Sequence, residues 1–203
     1  MSNEYFAKKE EKEKEARVQL TKKRAGKFLK WLAVIVIVVG GGFWLLRGLN
    51  KPVEAPGEFF EAQSREHIPP GASHPEYNSN PPTGGWHYDQ PAQTGIYDKE
   101  LPDEQLIHNL EHSHIWISYR PDNLAPDQIE QLVAIAKSYG SRFIMTPRVK
   151  NDSPIVGAAW QRLLKLDSVD EKRIRTFADS YRNIAGPERN IPDSGFKDFR
   201  SGR

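Results

Sequence analysis

Cysteine is absent from the 203 residues, so no disulfide supports the fold, and Met145 is the only methionine besides Met1. The absence of thiols suits a location outside the cytoplasm, where an exposed thiol invites oxidation. No internal repeat is present, and no glycine-rich nucleotide loop follows a strand pattern. Fifteen glycines and fifteen prolines are scattered without a period, which excludes a collagen-like chain. A mean hydropathy of −0.68 excludes several membrane spans. Net charge is also scarce, at +2 for the whole chain. That near-neutrality hides a division: residues 1–30 hold ten Lys and Arg against five Glu, a net of +5, so residues 31–203 carry −3. An acidic main domain makes nucleic acid an unsuitable partner.

One run contradicts the polar average. Trp31 to Leu46 contains sixteen consecutive uncharged residues (WLAVIVIVVGGGFWLL), and Phe28, Leu29 and Leu49 extend the apolar segment. The length predicts a transmembrane helix over residues 28–49, in contact with membrane lipid. No polar face interrupts it, as a buried core helix would require, and no small-x-small cleavage site follows, as a signal peptide would require. Lys22, Lys23, Arg24, Lys27 and Lys30 crowd one flank, so the positive-inside tendency places residues 1–27 in the cytoplasm as a charged tail and the remainder outside the cell membrane. The Gly40-Gly41-Gly42 step lacks G-x-x-x-G spacing and predicts no dimer.

Residues 50–66 read as a polar, proline-punctuated linker, residues 67–186 as the extracytoplasmic domain, and residues 187–203 as a loosely ordered tail. Within the domain, residues 67–103 are too rich in Pro, Gly and Asn for a long regular element, yet Tyr77, Trp86, Tyr88 and Tyr97 argue against disorder. A short helix then runs to about His112, with Asp103 as its cap. A strand follows over 114–119, an amphipathic helix from Pro126 to a stop at Gly140, and a strand over 143–146. Residues 155–166 are ambiguous between one buried strand and a strand followed by a helical turn, with a strand favoured for 155–160. A closing helix runs to about Asn183, opened by a capping box of Ser168 and Glu171. This order predicts a small layered α+β domain behind a single N-terminal transmembrane helix.

All six histidines, His67, His74, His87, His108, His112 and His114, fall in a 48-residue window, and the last 89 residues contain none. Histidine is both a common transition-metal ligand and the usual general base near neutral pH. If the helix forms, His108 and His112 stand one turn apart on one face with Glu111 beside His108, while Leu110 points into the core. The turn-forming PPTGG segment lets His87 meet that pair. A transition-metal site from His87, His108 and His112, completed or supported by Glu111 or His67, is the expected chemistry. The donor set suits Zn²⁺, Cu²⁺, Mn²⁺ or Fe²⁺ better than Cu⁺, with zinc and copper(II) the leading choices. Arg142, Arg148, Lys150 and Arg162 read as solvated surface rather than an anion site.

The segments PPTGGWHY (81–88), GIY (95–97), HNLEH (108–112), Ala159-Trp160 and Pro187-Glu188 resemble a bacterial family catalogued as domain of unknown function 3105, over about residues 65–190. The resemblance implies a single-span, membrane-anchored protein with its shared part outside. It marks His67, Pro81, Pro82, Gly85, His87, His108, Glu111 and His112 as motif positions, and leaves out His74 and His114. Gly84 departs where a small hydroxyl residue is expected. Ser113 departs where glycine is expected, at the turn after the helix. Two further readings stand beside the metal site. His108-x-x-Glu111-His112 satisfies the H-x-x-E-H pattern of inverted zinc metallopeptidases, with Glu171 or Glu188 as the third ligand. Alternatively, Tyr77, Trp86, Tyr88 and Tyr97 either bind an envelope partner without catalysis or form the core under their own loop.

Overall fold

The computed structural model describes Arg17, residues 27–44 and residues 55–200. Most of the tail expected over 1–27, the C-terminal end of the expected membrane helix and the start of the expected linker lie outside these residues. The chain divides into two compact units, Met1–Glu54 and Ala55–Arg203. In the first, helix α1 spans Lys27–Trp44 and is long and apolar enough to cross a membrane, with none of its side chains buried.

The second unit is an α+β domain built on a seven-stranded mixed sheet. Its strands are β1 (Glu58–Phe59), β4 (Gly95–Ile96), β5 (Ile115–Tyr119), β6 (Phe143–Pro147), β7 (Ile155–Ala159), β8 (Arg162–Leu166) and β9 (Lys197–Asp198). They lie in the order β1-β8-β7-β5-β6-β4-β9. From β5 outward through β7 and β8 to β1 the pairing is antiparallel, and through β6 and β4 to β9 it is parallel. A separate two-stranded parallel ribbon joins β2 (His67–Ile68) to β3 (His87–Tyr88).

Alternation on β5 separates two cores. Ile115, Ile117 and Tyr119 enter the layer under α3 (Pro126–Tyr139) and α4 (Glu171–Tyr181), with Phe143, Met145, Ile174 and Phe177. Trp116 enters the opposite layer with Leu106, Ile107 and Leu110 of α2 (Asp103–Glu111), Ile144 and Val156. Every residue of β5, β6 and β7 is therefore buried, as expected of strands covered on both faces. The helix carrying the histidine motif thus rests on the buried central strands of the sheet.

Several local expectations are corrected. Residues 162–166 form β8, not a helical turn: Trp160 and Gln161, the latter at φ 61°, reverse the chain so that Leu163 and Leu164 face opposite layers. Asp103 is the first residue of α2, not its cap, and its carboxylate takes both Nε and Nη2 of Arg148 at 2.9 and 2.7 Å. Arg148 and Arg142 are buried rather than solvated, because each clamps chain segments: Arg148 also donates to Asn80 Oδ1 at 2.6 Å, and Arg142 to the Ile191 and His112 carbonyls. Asp170 rather than Ser168 caps α4, accepting from the Arg173 amide at 3.0 Å. The segments read as linker and tail supply β1 and β9, the two edge strands.

Candidate metal centre

Local chain geometry brings His67 and His87 together. In the β2–β3 ribbon His67 is opposite His87 and Ile68 opposite Tyr88, so the two imidazoles share one face. Their ring centroids are 4.7 Å apart and nearly perpendicular. The turn before β3 depends on Gly85, at φ 130°, where a Cβ would stand 2.8 Å from the Tyr77 ring. The Gly85 carbonyl accepts from His87 Nδ1 at 2.7 Å. His108 arrives from α2: its ring stacks on His67 at 5.0 Å, and its Nδ1 donates to the Tyr88 carbonyl at 2.5 Å.

One ligand nitrogen from each of His67, His87 and His108 lies within 4.8 Å of the others, so the trio could hold a metal ion. With Nδ1–H of His87 and His108 committed to backbone carbonyls, Nε2 is the nitrogen that each turns into the cluster, where that of His87 faces Glu111 Oε2 at 3.0 Å and that of His108 faces His112 Nε2 at 3.1 Å. A ring nitrogen pinned in this way is the usual accompaniment of a ligating histidine. His108 is held below its ordinary pKa, first by burial and then by the neighbouring His87 and His67, against the raising effect of the Tyr88 carbonyl. It is therefore neutral near pH 7, the form that binds a metal.

His112 lies outside the trio. One turn beyond His108, its Nε2 is 3.1 Å from His108 Nε2 and 3.4 Å from Glu188 Oε2. Burial, His108 and His114 lower its pKa, in that order. Glu111 lies beside the trio but is saturated: Oε1 accepts from Arg65 Nε at 2.7 Å, while Oε2 is 3.0 Å from His87 Nε2 and 3.9 Å from His67 Nε2. Arg65 reaches on to Glu188 at 3.2 Å, so one guanidinium joins the two carboxylates beside the histidines. Arg65 falls in the polar linker by sequence, and no local pattern distinguishes it there.

Burial alone would raise the pKa of Glu111, but the hydrogen bonds and charges of His87 and Arg65 outweigh it and bring the value from 4.5 to about 2. Because the folded-state value lies below the unfolded one, this stabilisation is complete above about pH 4.5 and is lost as the pH falls towards 2. Arg65 is half exposed, so Arg65→Ala leaves the core intact. It is expected to move the acid-unfolding midpoint, followed by tryptophan fluorescence, upward by about 1 pH unit. An unchanged midpoint would mean that the Arg65–Glu111 pair contributes nothing.

His74 and His114 serve other contacts. His74 Nδ1 bonds the Pro75 carbonyl at 2.8 Å, and Nε2 is 3.3 Å from Glu104. His114 Nε2 lies 3.0 Å from the Thr94 hydroxyl and 3.3 Å from Asp193. The loop aromatics mainly serve their own segment: Tyr97 belongs to the α2-side core, and Tyr77 donates to the Trp86 carbonyl at 2.7 Å. Ser113, the departure from glycine, makes the turn after α2 all the same, at φ 63°. Its hydroxyl accepts from the Gly186 amide at 2.8 Å, offsetting the left-handed backbone.

No curated protein and no solved structure matches the chain. Residues 70–195 match the model of a family described as protein of unknown function (DUF3105), beginning three residues after His67. Because that match takes in more than half of the chain, including His87, His108, Glu111 and His112, the chain belongs to the DUF3105 family.

Proposed function

We propose that this protein binds one transition-metal ion through His67, His87 and His108, in a domain held at the outer face of the cell membrane by α1. The convergence of three imidazoles within 4.8 Å carries the reading. The pinned Nδ1 atoms of His87 and His108 support it. Three nitrogen donors leave a fourth position for a ligand from solution, the arrangement of catalytic rather than structural zinc, and zinc or copper(II) fits the set. Glu111 and Arg65 supply charge and orientation at its edge. The lysine-rich flank of α1 supports a cytoplasmic N-terminus.

A second donor set shares His108. His108, His112 and Glu188 form a chain of contacts at 3.1 and 3.4 Å, in keeping with the H-x-x-E-H reading and Glu188 as its third ligand. The saturated carboxylate of Glu111 disfavours that reading, which needs a free general base. Glu171, the other third-ligand candidate, is exposed and pairs with Arg175 at 2.8 Å. The direct test of metal binding is elemental analysis of the untagged full-length protein in detergent after dialysis. About one zinc or copper per chain is expected, and a metal-free protein that also fails to take up added Zn²⁺ or Cu²⁺ would overturn the proposal.

A further inference from the structure

A cleft of about 450 Å³ opens beside the histidine trio. Ile68, Pro69, Pro70 and Tyr88 form its apolar wall, with His67 and Asp89 at its polar side. His67 belongs to both the cleft and the trio, and its side chain is 42% exposed, so solvent reaches the trio along this wall. Tyr88 joins the two regions as well, since its carbonyl orients His108. The volume lies in the range of pockets that enclose small organic ligands.

The lining also discriminates by charge. Among the described residues no Lys or Arg contributes to it, and Asp89 supplies its one carboxylate, 3.7 Å from His67 Nδ1. Such a cleft disfavours anions, sugars gain little from its prolines and Ile68, and a neutral planar or aliphatic body gains burial. We propose that the cleft beside His67 is the ligand site of the metal centre, and that it takes a neutral, apolar-bodied small molecule whose nitrogen or carbonyl donor completes the coordination of the ion.

This inference rests on the metal reading, and the test separates the two. Full-length protein in detergent is loaded with Co²⁺, and its visible spectrum is titrated with imidazole and with 4-phenylimidazole, which share a donor and differ in apolar body. In the wild type, 4-phenylimidazole is expected to bind about tenfold more tightly than imidazole. Ile68→Ser takes one of the four apolar side chains from the wall and should lower the ratio severalfold. Gln105→Trp, which fills the cleft from α2, should exclude the phenyl compound while imidazole still binds. Both variants keep the three histidines, and using one detergent throughout cancels partitioning into micelles. Equal affinities in the wild type, or a preference that survives both variants, would overturn the cleft proposal alone. A protein showing no Co²⁺ spectrum before any ligand is added would overturn the metal reading and the proposal together.

Discussion

His67→Ala is expected to weaken Zn²⁺ binding by on the order of 100-fold, while His112→Ala weakens it by no more than about tenfold. The contrast follows from geometry. His67 is one of three histidines whose ligand nitrogens converge, whereas His112 touches only His108 of that group. His67 is also half exposed, so its removal leaves no buried cavity and the melting temperature should change by about 2 °C or less. Competition titration with a chromophoric chelator measures both affinities, and circular dichroism checks the fold. The opposite ranking, with His112→Ala the damaging change, would place the ion between His108, His112 and Glu188 and revive the metallopeptidase reading.

Gly186→Ala carries the largest expected effect on stability. A Cβ at this position would lie 2.1 Å from the Glu111 carbonyl oxygen, 2.5 Å from the Ser113 amide nitrogen and 2.6 Å from the Leu110 carbonyl oxygen, all backbone atoms that cannot rotate away. The neighbouring bonds hold the approach in place: the Glu188 amide donates to the Glu111 carbonyl and the Asn183 amide to the Ser113 carbonyl, each at 3.0 Å. Accommodating one methyl group therefore means lifting the segment off the end of α2, a loss of about 3 kcal/mol, or roughly 10 °C in melting temperature. The same displacement would carry Glu188 away from His112 and Arg65. A Gly186→Ala protein melting like the wild type would show that the segment yields at no cost and does not fix Glu188.

The regular parts of the fold were legible because their periods are long enough to be unambiguous. The stripe Ile129, Leu132, Val133, Ala136 and the stop at Gly140 define α3, and the alternation Ile115, Ile117, Tyr119 defines β5. Strand β8 was not legible, since Leu163, Leu164 and Leu166 fit either period over five residues and only the pairing with β7 decides. Strands β1 and β9 have two residues each and exist through their partners, which no local pattern announces. At the candidate site, histidine clustering marked the stretch of chain that holds the trio, but spacing along α2 favoured His112 over His67. The parallel register of β2 with β3, a contact between residues twenty apart, brings His67 to His87 instead. Arg65 was illegible for the same reason, because its partners Glu111 and Glu188 lie 46 and 123 positions away.

That last separation has a temporal meaning. On a growing chain, His67, His87 and His108 are all present well before Gly186 and Glu188 have been made. At common synthesis rates, the 80 residues between His108 and Glu188 take about 4 to 16 s. During that interval the histidines exist without the segment that seats against the end of α2 and brings Glu188 to His112 and Arg65. The contacts of Glu188 with His112 and Arg65 therefore form last, seconds after the residues that they join have been made.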